Sequence, residues 1–171
     1  MAIKAERPVH LLLCDPPSSG KSLFMSSLTR LERSYYVVGS SSTKSGIFDY
    51  LFEYRPRYFI IDELEKMNKK DQTSLLKLME SGILSELKHN QKRTTQLKTW
   101  VFASCNSIDK LLPPLLSRFR DIHFKPYTEE EFVEIVVNVL NAEDVDKDIA
   151  LLIADRVYNT LKCSNIRECV R

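Results

Sequence analysis

Two clusters in this chain combine residue types that act on phosphate. The first is Gly20-Lys21-Ser22, which follows Asp15-Pro16-Pro17-Ser18-Ser19 and an apolar run from Val9 to Cys14. A strand, a turn and then a helix present backbone N–H groups and a positive helix end to an anion. Pro17, Ser18, Ser19, Gly20, Lys21, Ser22 and Leu23 are the expected phosphate-binding segment. The Lys21 ammonium would reach the outer phosphates and the Ser22 hydroxyl would ligate Mg2+. The second cluster is Asp62-Glu63, about 40 residues on, at the end of the apolar run Tyr58-Phe59-Ile60-Ile61. Asp62 is placed to hold the metal, and Glu63 to take a proton from an attacking water.

These clusters require a scaffold of short buried strands alternating with helices. Runs at Val9–Cys14, Tyr35–Val38, Arg57–Ile61, Thr99–Ser104 and Asp121–Phe124 read as strands. Helical spacing is expected over Lys21–Leu31, Gly46–Phe52 and Lys69–Ser81, the last closed by Gly82 as a left-handed cap. Ile83–Lys88 and Thr94–Lys98 read as hairpin arms around His89–Arg93. Beyond Pro126 every signal is helical. Thr128 with Glu131, and Asn165 with Glu168, fit capping boxes, and Asp146–Leu161 carries one apolar face. The expected organisation is an α/β core over residues 1–126, a three-layer αβα sandwich on a parallel sheet, and a partial all-helical lid over residues 127–171.

Composition narrows the function classes. The net charge of +2 gives no bulk pull toward nucleic acid or membrane. No apolar run approaches the 18–20 residues of a membrane span, and the first residues lack a secretory h-region. The four cysteines, Cys14, Cys105, Cys163 and Cys169, form no C-x-x-C pair, so neither a zinc site nor a disulfide framework is expected. The expectation is a soluble protein of the reducing cytoplasm, with no membrane partner.

Glycine is scarce, four in 171 residues, or roughly 2% against an average near 7%. The position where a phosphate loop usually begins with glycine is Asp15, and its fourth position is Ser18. A carboxylate beside a triphosphate would repel it by about 1 kcal/mol.

With these motifs in this order the chain resembles the AAA+ ATPases. Trp100–Ser104 followed by Asn106 looks like the family's sensor 1, Leu115-Leu116-Ser117-Arg118-Phe119 like its arginine-finger segment, and Asn165-Ile166-Arg167 like sensor 2. The stretches Ile61–Asp71, Leu75–Gly82, Thr95–Trp100 and Asn106–Phe119 are most similar to the RuvB-type Holliday-junction branch-migration helicases and the related MoxR and MCM groups. Against that pattern the chain is expected to be truncated at both ends.

The resemblance implies ATP and Mg2+ as cofactors, and catalytic roles for Glu63, Asn106, Arg118 and Arg167. Arg118 would act on nucleotide held by a neighbouring subunit, with Arg120 as substitute, in a ring expected to be hexameric. The implied activity is ATP hydrolysis driving remodelling of DNA, of the helicase or Holliday-junction kind. The alternatives are a catalytically weakened assembly or regulatory subunit, motivated by Asp15, and a MoxR-like chaperone acting on protein. Lys88, Lys92 and Arg93, on a hairpin with no acid from Lys88 to Lys98, are candidate contacts to DNA or a partner.

Overall fold

The computed structural model describes residues 8–14, 20–40, 44–88, 91–162 and 165–170. Five short strands form one parallel sheet: β1 (His10–Cys14), β2 (Ser34–Val38), β3 (Tyr58–Asp62), β6 (Trp100–Cys105) and β7 (Phe119–His123). Their order across the sheet is β2-β3-β6-β1-β7, and every pairing is parallel. Strands β3 and β6 are buried along their whole length. That is why Tyr58–Ile61 and Trp100–Ala103 read as continuous apolar runs rather than alternating ones.

Parallel neighbours need long crossovers, which the helices supply. They are α1 (Lys21–Ser27), α2 (Lys44–Tyr54), α3 (Lys69–Ser81) and the single turn α4 (Pro113–Leu116). The core they close includes Leu12, Leu51, Phe59, Ile61, Leu64, Val101 and Leu115. The expected helix Lys21–Leu31 is α-helical only to Ser27 and tightens into a 3-10 turn over Leu28–Arg30. Asn68 caps α3 by accepting from the Asp71 N–H, and Gly82 ends it at φ 69°. At Gly82 a Cβ would meet the Leu97 carbonyl oxygen at 2.6 Å, so glycine is required by conformation and by space.

Strands β4 (Ile83–Lys88) and β5 (Gln91–Gln96) form a separate antiparallel hairpin. The second arm begins three residues earlier than the charge pattern suggests, so Arg93 is a strand residue opposite Glu86.

Phe124 onward is a second compact unit. Helices α5 (Glu129–Asn141) and α6 (Lys147–Asp155) pack through Phe132, Val136, Leu140, Ala150 and Ala154. The Thr128–Glu131 capping box is present in both directions. The expected helix Asp146–Leu161 changes character at Arg156, where a π turn runs to Thr160. The last helix, α7 (Arg167–Val170), puts Cys169 into this unit's core.

Candidate functional site

The strand order decides which loops meet. β6 lies between β1 and β3, with Cys14 level with Cys105 and Ile61 level with Ala103. The carboxyl ends of the three central strands therefore deliver Gly20-Lys21, Asp62-Glu63 and Asn106 to one edge of the sheet, where open α/β folds bind ligands.

Gly20 caps α1 at φ 80°, a left-handed turn that costs glycine little. Lys21 opens the helix and is buried, and Ser22 beside it is half-buried, whereas Leu23 faces solvent. Asp15, Pro17, Ser18 and Ser19 lie outside the described residues.

Asp62, at the end of β3, is 8% exposed. Its Oδ2 accepts from the Tyr36 hydroxyl at 3.0 Å, and its Oδ1 from the Ser104 hydroxyl and, at 3.1 Å, from the Glu63 N–H. Tyr36 feels this carboxylate. Burial first, then the charge and hydrogen bond of Asp62, push its phenol up to about 12. The donors come from β2, β6 and the peptide itself, so the direction of the Asp62 side chain is set by the sheet.

Glu63 adopts φ 56° and ψ 49°, a left-handed conformation that costs a non-glycine residue about 1–2 kcal/mol. The turn is kept because the Glu63 N–H donates at 3.1 Å to the Ser104 hydroxyl as well as to Asp62, and its carbonyl accepts from the Lys66 N–H at 2.9 Å. The Glu63 carboxylate has partners of its own. Its Oε1 pairs with the Lys66 ammonium at 2.7 Å, and its Oε2 accepts from the Ser40 hydroxyl at 3.4 Å. Asn106, one residue past β6, donates its Nδ2 to Glu65 Oε1 at 3.2 Å.

Arg118 sits between α4 and β7, with its guanidinium paired to Glu80 of α3. Buried Gln72 holds the approach to it. Its amide donates to the carbonyls of Met67 and Lys110 and accepts from the Leu112 N–H. Arg120 lies within β7. Arg167 opens α7 in the second unit, and its side chain lies outside the described residues.

Arg93 is paired within the chain. Its guanidinium is held by Asp49 of α2 and by Glu86, its cross-strand neighbour, and lies 4.3 Å over the Phe52 ring. The carboxylates that neutralise it lie outside the acid-free stretch Lys88–Lys98. The side chains of Lys88 and Lys92 lie outside the described residues.

Four residues around the site lie outside the expected set of site residues: Tyr36, Ser40, Glu65 and Ser104. Ser104 had a visible signal, a hydroxyl directly after the apolar run Trp100–Ala103. For the other three, only strand order reveals the partner.

The hydroxyl of Ser22 and the carboxylate of Asp62 are hard oxygen donors, a set that suits a Mg2+ ion that keeps most of its waters. A buried Lys21 at the N-terminus of α1 suits phosphate.

Comparison with known proteins bears on the family and the fold. Residues 11–127 match the ATPase family associated with various cellular activities. A RuvB variant from Thermotoga maritima superposes with a TM-score of 0.69 at 23% identity, over 95% of this chain and 52% of that one. A second variant of the same protein gives 0.66 at 20% identity. Among curated proteins, replication factor C subunit 4 of Arabidopsis thaliana is 29% identical over 112 residues, or 66% of this chain. The DNA replication licensing factor Mcm2 of Drosophila melanogaster is 24% identical over 170 residues, or 79% of this chain. The chain spans 28% and 19% of the length of these two relatives. The family match covers more than half the chain and brackets every strand of the sheet except the first residue of β1, so the chain belongs to the ATPase family associated with various cellular activities.

Proposed function

We propose that this chain binds Mg-ATP at Lys21, Ser22 and Asp62 and hydrolyses it with Glu63 and Asn106. The observation that carries this reading is the edge where Lys21, Asp62, Glu63 and Asn106 converge from β1, β3 and β6. Mg2+ there would neutralise phosphate charge and would be held by Ser22 and Asp62. Lys21 binds and orients the outer phosphates. Glu63 takes the proton of the attacking water, which requires it to leave Lys66 and Ser40. Asn106 orients that water.

Arg118 completes the site from a neighbouring subunit in a ring, hexameric in this reading. Its pair with Glu80 is solvent-exposed and is worth about 0–1 kcal/mol, so exchanging Glu80 for a phosphate meets little resistance. Arg167 contributes from the lid. The work done is remodelling of DNA, supported by one relative named as a DNA replication licensing factor and another named as a replication factor subunit. No helix among the described residues is long and apolar enough to cross a membrane.

The test is ATP turnover measured against protein concentration. A rate per subunit that rises with assembly, and falls at least tenfold in Arg118→Ala, supports the trans arrangement. Undiminished turnover by assembled Arg118→Ala refutes it. A second reading, a subunit that binds nucleotide without turnover, is favoured by Asp15. Calorimetric binding of Mg-ATP without turnover, with turnover restored in Asp15→Gly, would select it. A salt-sensitive shift of labelled DNA separates a DNA substrate from a protein one.

A further inference from the structure

Glu65 is a carboxylate with half of its hydrogen-bonding capacity unmet in a buried place. It lies in the 3-10 turn Leu64–Lys66 that follows the acidic pair, and it is 9% exposed. One oxygen, Oε1, accepts from Asn106 Nδ2 at 3.2 Å, and the other, Oε2, has no partner among the described residues. Buried polar atoms are satisfied almost everywhere in folded proteins, and each exception calls for a reason.

We infer that Glu65 is a positioning residue that fixes the orientation of the Asn106 amide for the hydrolytic step. The inference rests on the ATP-hydrolysing reading above. An ionised carboxylate only accepts hydrogen bonds, whereas a carboxamide has one donating and one accepting end. Against Glu65 only the Nδ2 end is favourable, because the flipped amide would set its carbonyl oxygen against a negative charge. The carbonyl Oδ1 is thereby left as the acceptor facing the rest of the site. A water whose first O–H goes to the Glu63 carboxylate has its second O–H free for such an acceptor, and its lone pair is then aimed. Asn106 is exposed and lies one residue beyond the last strand residue, so its own backbone does not choose between the two amide orientations. Glu65, by contrast, is held in the turn next to Leu64, which is fully buried.

The Cys105 thiol, next in sequence to Asn106, reports the same neighbourhood. Burial, and then Cys14, push the Cys105 thiol up, Glu65 adds to that push, and Lys21 opposes it. Glu65 and the phosphate-binding lysine thus act on one atom group at the end of β6.

The experiment compares kcat and KM for Mg-ATP in the full chain and in Glu65→Gln, Glu65→Ala, Asn106→Ala and the Glu65→Ala/Asn106→Ala double variant. Misorienting a water-aligning group should lower kcat by about 10- to 100-fold. That loss is expected in Glu65→Ala, with KM within about twofold, because substrate binding does not pass through this pair. Glu65→Gln keeps the side-chain shape but can donate as well as accept, so it no longer selects one end of the Asn106 amide and should also lower kcat, by about 3- to 10-fold; a kcat equal to the parent's in Glu65→Gln overturns the inference. The double variant should match Asn106→Ala alone, since one residue acting through another is not additive with it. An equal loss from Glu65→Ala with and without Asn106 overturns the inference while leaving the hydrolytic reading intact. Absence of turnover in the parent assembly overturns both. A second readout needs no activity. The Asn106 side-chain amide proton, shifted downfield by donation to a carboxylate, should move upfield in Glu65→Ala, and an unmoved resonance overturns the inference.

Discussion

Replacing Gly39 by alanine sets a methyl group against the backbone of the acidic pair. Gly39 follows β2, and its N–H donates to the Asp62 carbonyl at 2.8 Å. A Cβ built there meets the Glu63 carbonyl oxygen at 2.4 Å and the Met67 nitrogen at 3.3 Å. Ordinary contact begins at 3.4 Å, so the Glu63 carbonyl must retreat by about 1 Å. Both obstacles are backbone atoms, which cannot swing aside as a side chain would. Overpacking of this kind costs about 1–3 kcal/mol. In a chain of this size each kcal/mol is about 2–4 °C, so Tm should fall by roughly 2–12 °C. The displacement falls on Glu63, the proposed base, and a misplacement near 1 Å can cost about 10²-fold in rate. Thermal unfolding by circular dichroism and Mg-ATP turnover measured on the same preparation check both effects. A Tm within about one degree of the parent, with turnover unchanged, would show that Glu63 does not lie against Gly39.

Three further outcomes follow from named contacts. His10 accepts the Val101 N–H at its Nδ1 and so carries its proton on Nε2, 3.2 Å from the Met79 carbonyl, and burial holds its pKa below 6.5. The unfolded chain takes up a proton as pH falls through 6.5 and the folded chain does not. Urea midpoints should therefore drop on acidification below that pH, and by less in His10→Gln. Tyr36 behaves in the opposite sense. The unfolded phenol ionises near 10 and the folded one near 12, so its contribution is full below pH 10 and is lost between the two. Tyr36→Phe should remove that alkaline loss, along with a tyrosinate absorbance step near pH 12. Arg93→Ala should lower Tm, by loss of Asp49, Glu86 and the Phe52 ring, while leaving the salt slope of any DNA binding unchanged. A slope reduced by about one would return Arg93 to the phosphate-contacting surface.

What could be read in advance was local. Helix α3 was legible from Lys69 to Ser81 because its stop signal, Gly82, acts within one turn. The Thr128–Glu131 box was legible because its two hydrogen bonds close over three residues. The Arg156–Thr160 π turn was not, because it keeps the apolar face of α6 going while changing only the hydrogen-bond pattern. The partners of Arg93 were not legible, because its acids come from β4 and α2 rather than from its own stretch.

The order and chemistry of the motifs belong to the sequence alone: a lysine and a serine opening a helix after a glycine, an acidic pair ending a buried strand, an asparagine after another, and arginines after them. Each is set by residue types within a few positions of one another. Tertiary structure decided how the motifs are held. Ser104 reaches Asp62 across 42 positions of chain and Asn106 reaches Glu65 across 41, both because β6 inserts between β1 and β3. A hydrogen bond spans about 3 Å whatever the separation along the chain. Which groups come within that distance is a property of strand order and register, and no local pattern encodes it.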